Sequence, residues 1–125
     1  MYVLDSSTLI ELINDRSRAA KIEEYVTQIP LATTSVCVHE ILAGALSVQD
    51  HFLLERFLSG LRILNHDLDA ARIGSSIEQE LRRVGKLING MDILIAAICK
   101  AHHATLITLD NDFSRIKGLD VIVLH

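Results

Sequence analysis

Short apolar runs alternate with longer stretches of helical periodicity along the whole chain. Tyr2-Val3-Leu4 reads as a strand that stops at Asp5. Ser6 or Ser7 then predicts a helix N-cap, with Leu9, Ile10, Leu12 and Ile13 as the apolar positions that follow. A second helix is predicted over residues 16–28, with Ala19, Ile22 and Val26 turned inward. Pro30, the only proline, interrupts the chain. Leu31-Ala32-Thr33-Thr34 reads as a second strand, and Ser35 as the cap of a helix over residues 36–46. Residues 49–60 form an amphipathic segment with Phe52, Leu53, Phe57 and Leu58 apolar, ending at Gly60. Residues 61–64 suit a strand. A long helix is predicted over 67–84, with Arg72, Glu78, Arg82 and Arg83 outward and Gly85 as its stop. Residues 91–101, MDILIAAICKA, are nearly all apolar, as a helix buried on most sides requires. Strands over 105–109 and 121–123 flank a short turn or helix at 112–116.

Strands alternating with helices predict an α/β fold. Strands this short, apolar on both faces, predict a parallel sheet covered on both sides. There are no repeats, linkers or low-complexity tracts, and 125 residues suit a single domain, 1–125. Half of the residues are hydrophobic but only 4% are aromatic, so the core must be aliphatic. The start, MYVLDSSTLI, has an acid within its apolar run and no basic lead-in, which predicts no secretory leader. No apolar stretch approaches the roughly 20 residues of a membrane helix. Cys37 and Cys99 lie in apolar helical stretches and read as small core residues rather than a disulfide. A cytoplasmic protein is expected.

The acids are the informative residues. Asp5 follows the first strand, Glu40 lies in the second turn of the helix after the second strand, and Asp92 begins the buried helix. Asp110 and Asp112 follow the fourth strand in LITLDNDF, where an extended chain would place both on one side. In a parallel α/β sheet, strand C-termini and the helix N-termini after them share the edge where ligands bind. All five acids can therefore meet on one rim. Two charges 4 Å apart repel by about 4 kcal/mol at an effective dielectric near 20, and helix N-termini offset only part of that. An all-oxygen set of this kind suits a hard divalent ion such as Mg²⁺ or Mn²⁺, and no Cys/His cluster suggests zinc. Each acid also has a plainer reading. Asp5 and Asp92 could be helix caps, Glu40 a solvated helix residue, and Asp110-Asn111-Asp112 an ordinary loop.

The net charge of −4 argues on its own against a nucleic-acid partner. Asp5, Glu40, Asp92 and Asp110 account for all of it, and the other 12 acids are balanced by 12 Lys and Arg residues. Arg72, Arg82, Arg83, Lys86, Lys100, Arg115 and Lys117 could therefore still hold phosphates.

Taken together, VLDSSTLIELI, SVCVHEILAGA, MDILIAAI and LITLDNDF resemble the PIN domains, and more narrowly the VapC-type toxin ribonucleases of toxin–antitoxin pairs. The resemblance runs from the first residue to about Phe113. It implies a PIN-like three-layer α/β/α fold with a parallel four- or five-stranded sheet, and a Mg²⁺- or Mn²⁺-dependent endoribonuclease. The family's four acids fall on Asp5, Glu40, Asp92 and Asp110, which the resemblance makes catalytic. Asp5, Asp92, Asp110 and Asp112 are the implied metal ligands, with Ser7 and Thr108 as supporting polar residues. Glu40 could bind metal directly or through water, or orient the nucleophile. The resemblance also implies an RNA substrate, a homodimer and a cognate antitoxin protein whose C-terminal segment lies in the active-site groove. KLINGMD lacks a proline that many relatives carry before the third acid. Two rival readings are a non-catalytic PIN-like RNA-binding or scaffold module, and a phospho-accepting receiver. The receiver wants a Lys ending a late strand, where this chain has Asp110.

Overall fold

The computed structural model describes residues 1–27 and 31–125. Five strands form one parallel sheet in the order β3-β2-β1-β4-β5, with β1 Tyr2–Leu4, β2 Leu31–Thr34, β3 Arg62–Leu64, β4 Thr105–Thr108 and β5 Val121–Val123. The first strand sits in the middle. Tyr2 is in register with Leu31 on one side and Thr105 on the other, and Leu4 pairs with Ile107. Val3, Leu4, Ala32, Leu106 and Ile107 are fully buried, as strands covered on both faces demand. The edges depart from that expectation: Arg62 and Ile63 of β3 are exposed, and β5 is half-buried throughout.

Six α-helices complete the fold: α1 Ser6–Ile13, α2 Ala19–Val26, α3 Ser35–Ala43, α4 Val48–Leu58, α5 Leu68–Arg83 and α6 Gly90–Ala101. The chain steps from β1 to β2 to β3 in one direction, then crosses to β4 and β5 in the other. Right-handed crossovers therefore put α1–α4 and α5–α6 on opposite faces, giving three layers. The predicted helix over 16–28 starts later, at Ala19, because Asp15 takes a positive φ of 47° and Arg16 N–H bonds back to the Glu11 carbonyl. Val26 and the predicted end of that helix lie outside what is described of side chains and backbone there.

Several caps differ from the sequence reading. Asp5, rather than Ser6 or Ser7, caps α1 by accepting from Thr8 N–H. Thr34, rather than Ser35, caps α3, and Asn89 caps α6, which leaves Asp92 in its first turn. In each case the capping residue is the last one still in extended backbone geometry or just leaving it, and side-chain type alone does not reveal that position. Gly85, at φ +71°, ends α5 as expected. Lys86 N–H bonds to Leu81 O and Gly85 N–H to Arg82 O, a Schellman closure. The same closure ends α6, with His103 at φ 52° in the position that favours glycine. Helices α5 and α6 pack closely at Gly74, where a Cβ would stand 3.3 Å from that of Ala97. Cys37 and Cys99 are buried free thiols, as expected. Among the described residues, no helix is long and apolar enough to cross a membrane.

Candidate active site

The strand order reverses direction between β1 and β4, and parallel sheets open a crevice at that point. Asp5 and Asp110 leave the C-terminal ends of these two strands. Their approach is fixed by two hydroxyls. Ser7 Oγ donates to Asp5 Oδ1 at 2.6 Å and accepts from Leu109 N–H at 3.1 Å. Thr108 Oγ1 donates to Asp5 Oδ2 and accepts from Asp110 N–H at 3.0 Å. Each hydroxyl thus ties the β1 acid to the backbone that carries the β4 acid. Oδ1 of Asp5 also accepts from Thr8 N–H, and Thr8 Oγ1 stands 3.1 Å from it. Oδ1 is therefore saturated, and Oδ2 retains a lone pair.

Strand β4 stops at Thr108, so Asp110 and Asp112 do not share the side of a strand. Asp110 instead caps a 3₁₀ turn, Asn111–Arg115, by accepting from Asp112 N–H at 2.9 Å. Glu40 projects from α3 and is held by Ser6, whose Oγ donates to Oε1 at 2.7 Å. Ser6 is a site residue that the sequence reading missed. Its only signal was membership of the hydroxyl run Ser6-Ser7-Thr8 in the first turn after Asp5.

Electrostatics show that the acids converge. Burial pushes the Asp92 carboxyl up to about 6, and Asp110, Glu40, Asp5 and Asp112 add to the rise in that order. Asp5 is also raised, by burial that outweighs the hydrogen bonds from Ser7, Thr108 and Thr8. Among the described residues, no Lys or Arg lies within 4 Å of Asp5, Glu40, Asp92 or Asp110; Asp112 has Arg115 at 3.4 Å. The rim is a concentration of carboxylates short of positive charge. Every donor is a hard oxygen, which fits a divalent ion of the Mg²⁺ or Mn²⁺ class and not zinc. Among the described residues, no three such side chains are already closed around an ion position. Glu40, Asp92, Asp110 and Asp112 are each half-buried, with part of the side chain open to solvent.

A groove of about 620 Å³ runs away from Glu40 between α1, α3 and α4. Ile10, Ile13, Ile41, Leu53 and Leu54 line it. Ile10 is 37% and Leu53 53% exposed, so one apolar position of α1 and one of α4 face this groove.

The PIN domain family model matches residues 2–119. Ribonuclease VapC11 of Mycobacterium tuberculosis is 33% identical over 123 residues, covering 93% of this chain and 91% of that protein. The tRNA(fMet)-specific endonuclease VapC of Shigella flexneri is 25% identical, covering 94% and 93%. Among solved structures, VapBC2 of Rickettsia felis, bound to a DNA fragment from its promoter, superposes with a TM-score of 0.87 at 26% identity, covering 99% and 98%. Sheet order, hydroxyl-braced acids and these likenesses agree: the chain belongs to the PIN domain family and, within it, to the VapC ribonucleases.

Proposed function

We propose that this protein is the toxin of a type II toxin–antitoxin pair, a single PIN domain over 1–125 that hydrolyses RNA phosphodiester bonds in the cytoplasm with Mg²⁺ or Mn²⁺. The observation that carries the reading is the Asp92 carboxyl, raised to about 6 by burial and by four neighbouring acids, of which Asp112 alone has a Lys or Arg, Arg115, within 4 Å among the described residues. Asp5, Asp92, Asp110 and Asp112 would hold the ion, Asp5 through Oδ2. Such an ion supplies Lewis acidity toward a phosphodiester and lowers the pKa of water. Glu40, oriented by Ser6 on Oε1, keeps Oε2 free of any hydrogen bond among the described residues, and this oxygen would orient the attacking water. Ser7 and Thr108 hold Asp5 and Asp110 at a fixed separation.

The cognate antitoxin would lay an apolar segment in the groove beside Glu40, where exposed Leu53 and Ile10 are otherwise uncovered. The likeness to VapBC complexes supports this partner. A homodimer rests on family resemblance alone, and light scattering of the purified protein tests it. The reading as a whole is tested by incubating RNA with the purified protein in Mg²⁺, Mn²⁺ or EDTA, beside Asp92→Asn. Metal-dependent cuts that vanish in the variant are the expected result. Equal silence of both folded proteins in every metal would favour the non-catalytic module.

A further inference from the structure

A second cleft, of about 310 Å³, lies on the α5–α6 face, between α5 and the segment that leads from the 3₁₀ turn to β5. Its floor is apolar, from Ile73, Ile77 and Ile116, and its rim carries Lys100, Arg115 and Lys117. The one acid there, Glu80, is already committed: Arg83 donates two hydrogen bonds to it, at 2.7 and 3.1 Å. Lys117 is 88% exposed and only 3.9 Å from Glu80. Lys100 Nζ donates one hydrogen bond, to the Lys117 carbonyl at 3.2 Å, and has no carboxylate within 4 Å among the described residues. Lys100 lies against Gly118, where a Cβ would stand 3.4 Å from Nζ, in ordinary contact. In a chain of net charge −4, this is a local excess of cations.

One side chain of the cleft also touches an acid of the rim. Arg115 reaches from it to Asp112 at 3.4 Å. Asp92 and Lys100 stand at opposite ends of α6, about 12 Å apart along its axis at 1.5 Å per residue. A nucleic-acid strand leaving the acids would pass Arg115 first and then meet Lys117 and Lys100. We propose that this cleft is a backbone subsite, in which Lys100 and Lys117 hold phosphates of a single-stranded RNA outside the scissile bond. The inference rests on the ribonuclease reading for its choice of ligand, and an apolar floor beside the cations suits base faces as well.

The test uses the full chain carrying Asp92→Asn, in EDTA, with a labelled single-stranded oligoribonucleotide followed by anisotropy across a salt series. Adding Lys100→Gln and Lys117→Gln should weaken binding several-fold at low salt. The slope of log K against log salt should fall by about 1.4, two contacts at about 0.7 each. Lys21→Gln with Arg56→Gln removes the same charge elsewhere and should leave the slope nearly unchanged. Thermal unfolding checks that each variant is folded. An equal loss in both doubles, no loss in either, or no measurable binding by the parent overturns the subsite. Metal-dependent cleavage by the chain with its acids intact is measured in parallel. Cleavage with an unchanged salt slope sinks the subsite alone, whereas absence of cleavage sinks the ribonuclease reading whatever the slope does.

Discussion

Asp92→Asn should abolish cleavage and, at the same time, stabilise the metal-free protein at neutral pH. The folded carboxyl has a pKa of about 6 against an ordinary 3.8. That gap corresponds to about 3 kcal/mol at 1.36 kcal/mol per pH unit. Asp92 is only half-buried, so solvent screening reduces the figure to about 1–2 kcal/mol. The folded state binds this proton more tightly than the unfolded chain does. The penalty is therefore absent below about pH 4, grows as pH rises, and is complete above about pH 6–7. Asparagine removes the charge and nearly keeps the shape. Thermal unfolding in EDTA should show the variant melting about 3–8 °C higher than the parent near pH 7.5, given the size of the chain. Near pH 4 the two should melt together. Mg²⁺ or Mn²⁺ should raise the melting point of the parent by mass action and act far less on the variant. Equal destabilisation of the variant at both pH values would refute the reasoning, because it would mean that the carboxylate has a favourable partner and is not frustrated by its neighbours.

Thr108→Val should cost about 2 kcal/mol, because it strips a donor from the buried Asp5 carboxylate and an acceptor from Asp110 N–H; chemical denaturation measures it. Ser6→Ala should lower kcat about tenfold with little change in KM or stability, since it frees Glu40 without disturbing the hydrogen bonds of Asp5 and Asp110; steady-state cleavage kinetics decide this. Leu53→Lys should weaken antitoxin binding by tenfold or more while RNA cleavage is retained, as calorimetry and a cleavage assay would show. His103→Gly should stabilise the protein by about 1 kcal/mol by relieving a left-handed histidine at the end of α6; a rise in melting temperature checks it.

The acids were legible because position in a parallel sheet is itself information. A short apolar run followed by Asp, as in Tyr2-Val3-Leu4-Asp5, locates the C-terminal edge, and the order of elements places Asp92 and Asp110 on the same edge. What the pattern could not convey was geometry set by single backbone torsions. Asp5, Ser6 and Ser7 are all competent caps, and only the extended backbone at Asp5 selects it. Ser6 reads as a cap from its type and place, and its bond to Glu40 spans 34 residues, beyond the reach of local pattern. Ile10 and Leu53 read only as apolar positions, because an apolar residue on a periodic face looks alike whether its cover is the same chain or another one. Glu11 gave no sign of being buried. It pairs with Arg18 at 2.9 Å from within the α1–α2 contact, and its second oxygen has no partner among the described residues.

The central seam of the sheet has a consequence for the birth of the protein. β1 is made before its partner β4, and the Thr108 hydroxyl that grips Asp5 arrives 103 residues after that acid. At about 5–20 residues per second, the ribosome takes roughly 5–20 s to cover that distance. Until β4 docks, Asp5 has neither its brace nor its neighbour Asp110, and no partial chain can assemble the rim. Non-local pairing of this kind also slows the final docking. The rim itself therefore comes into being only after β4 has been made and has docked against β1.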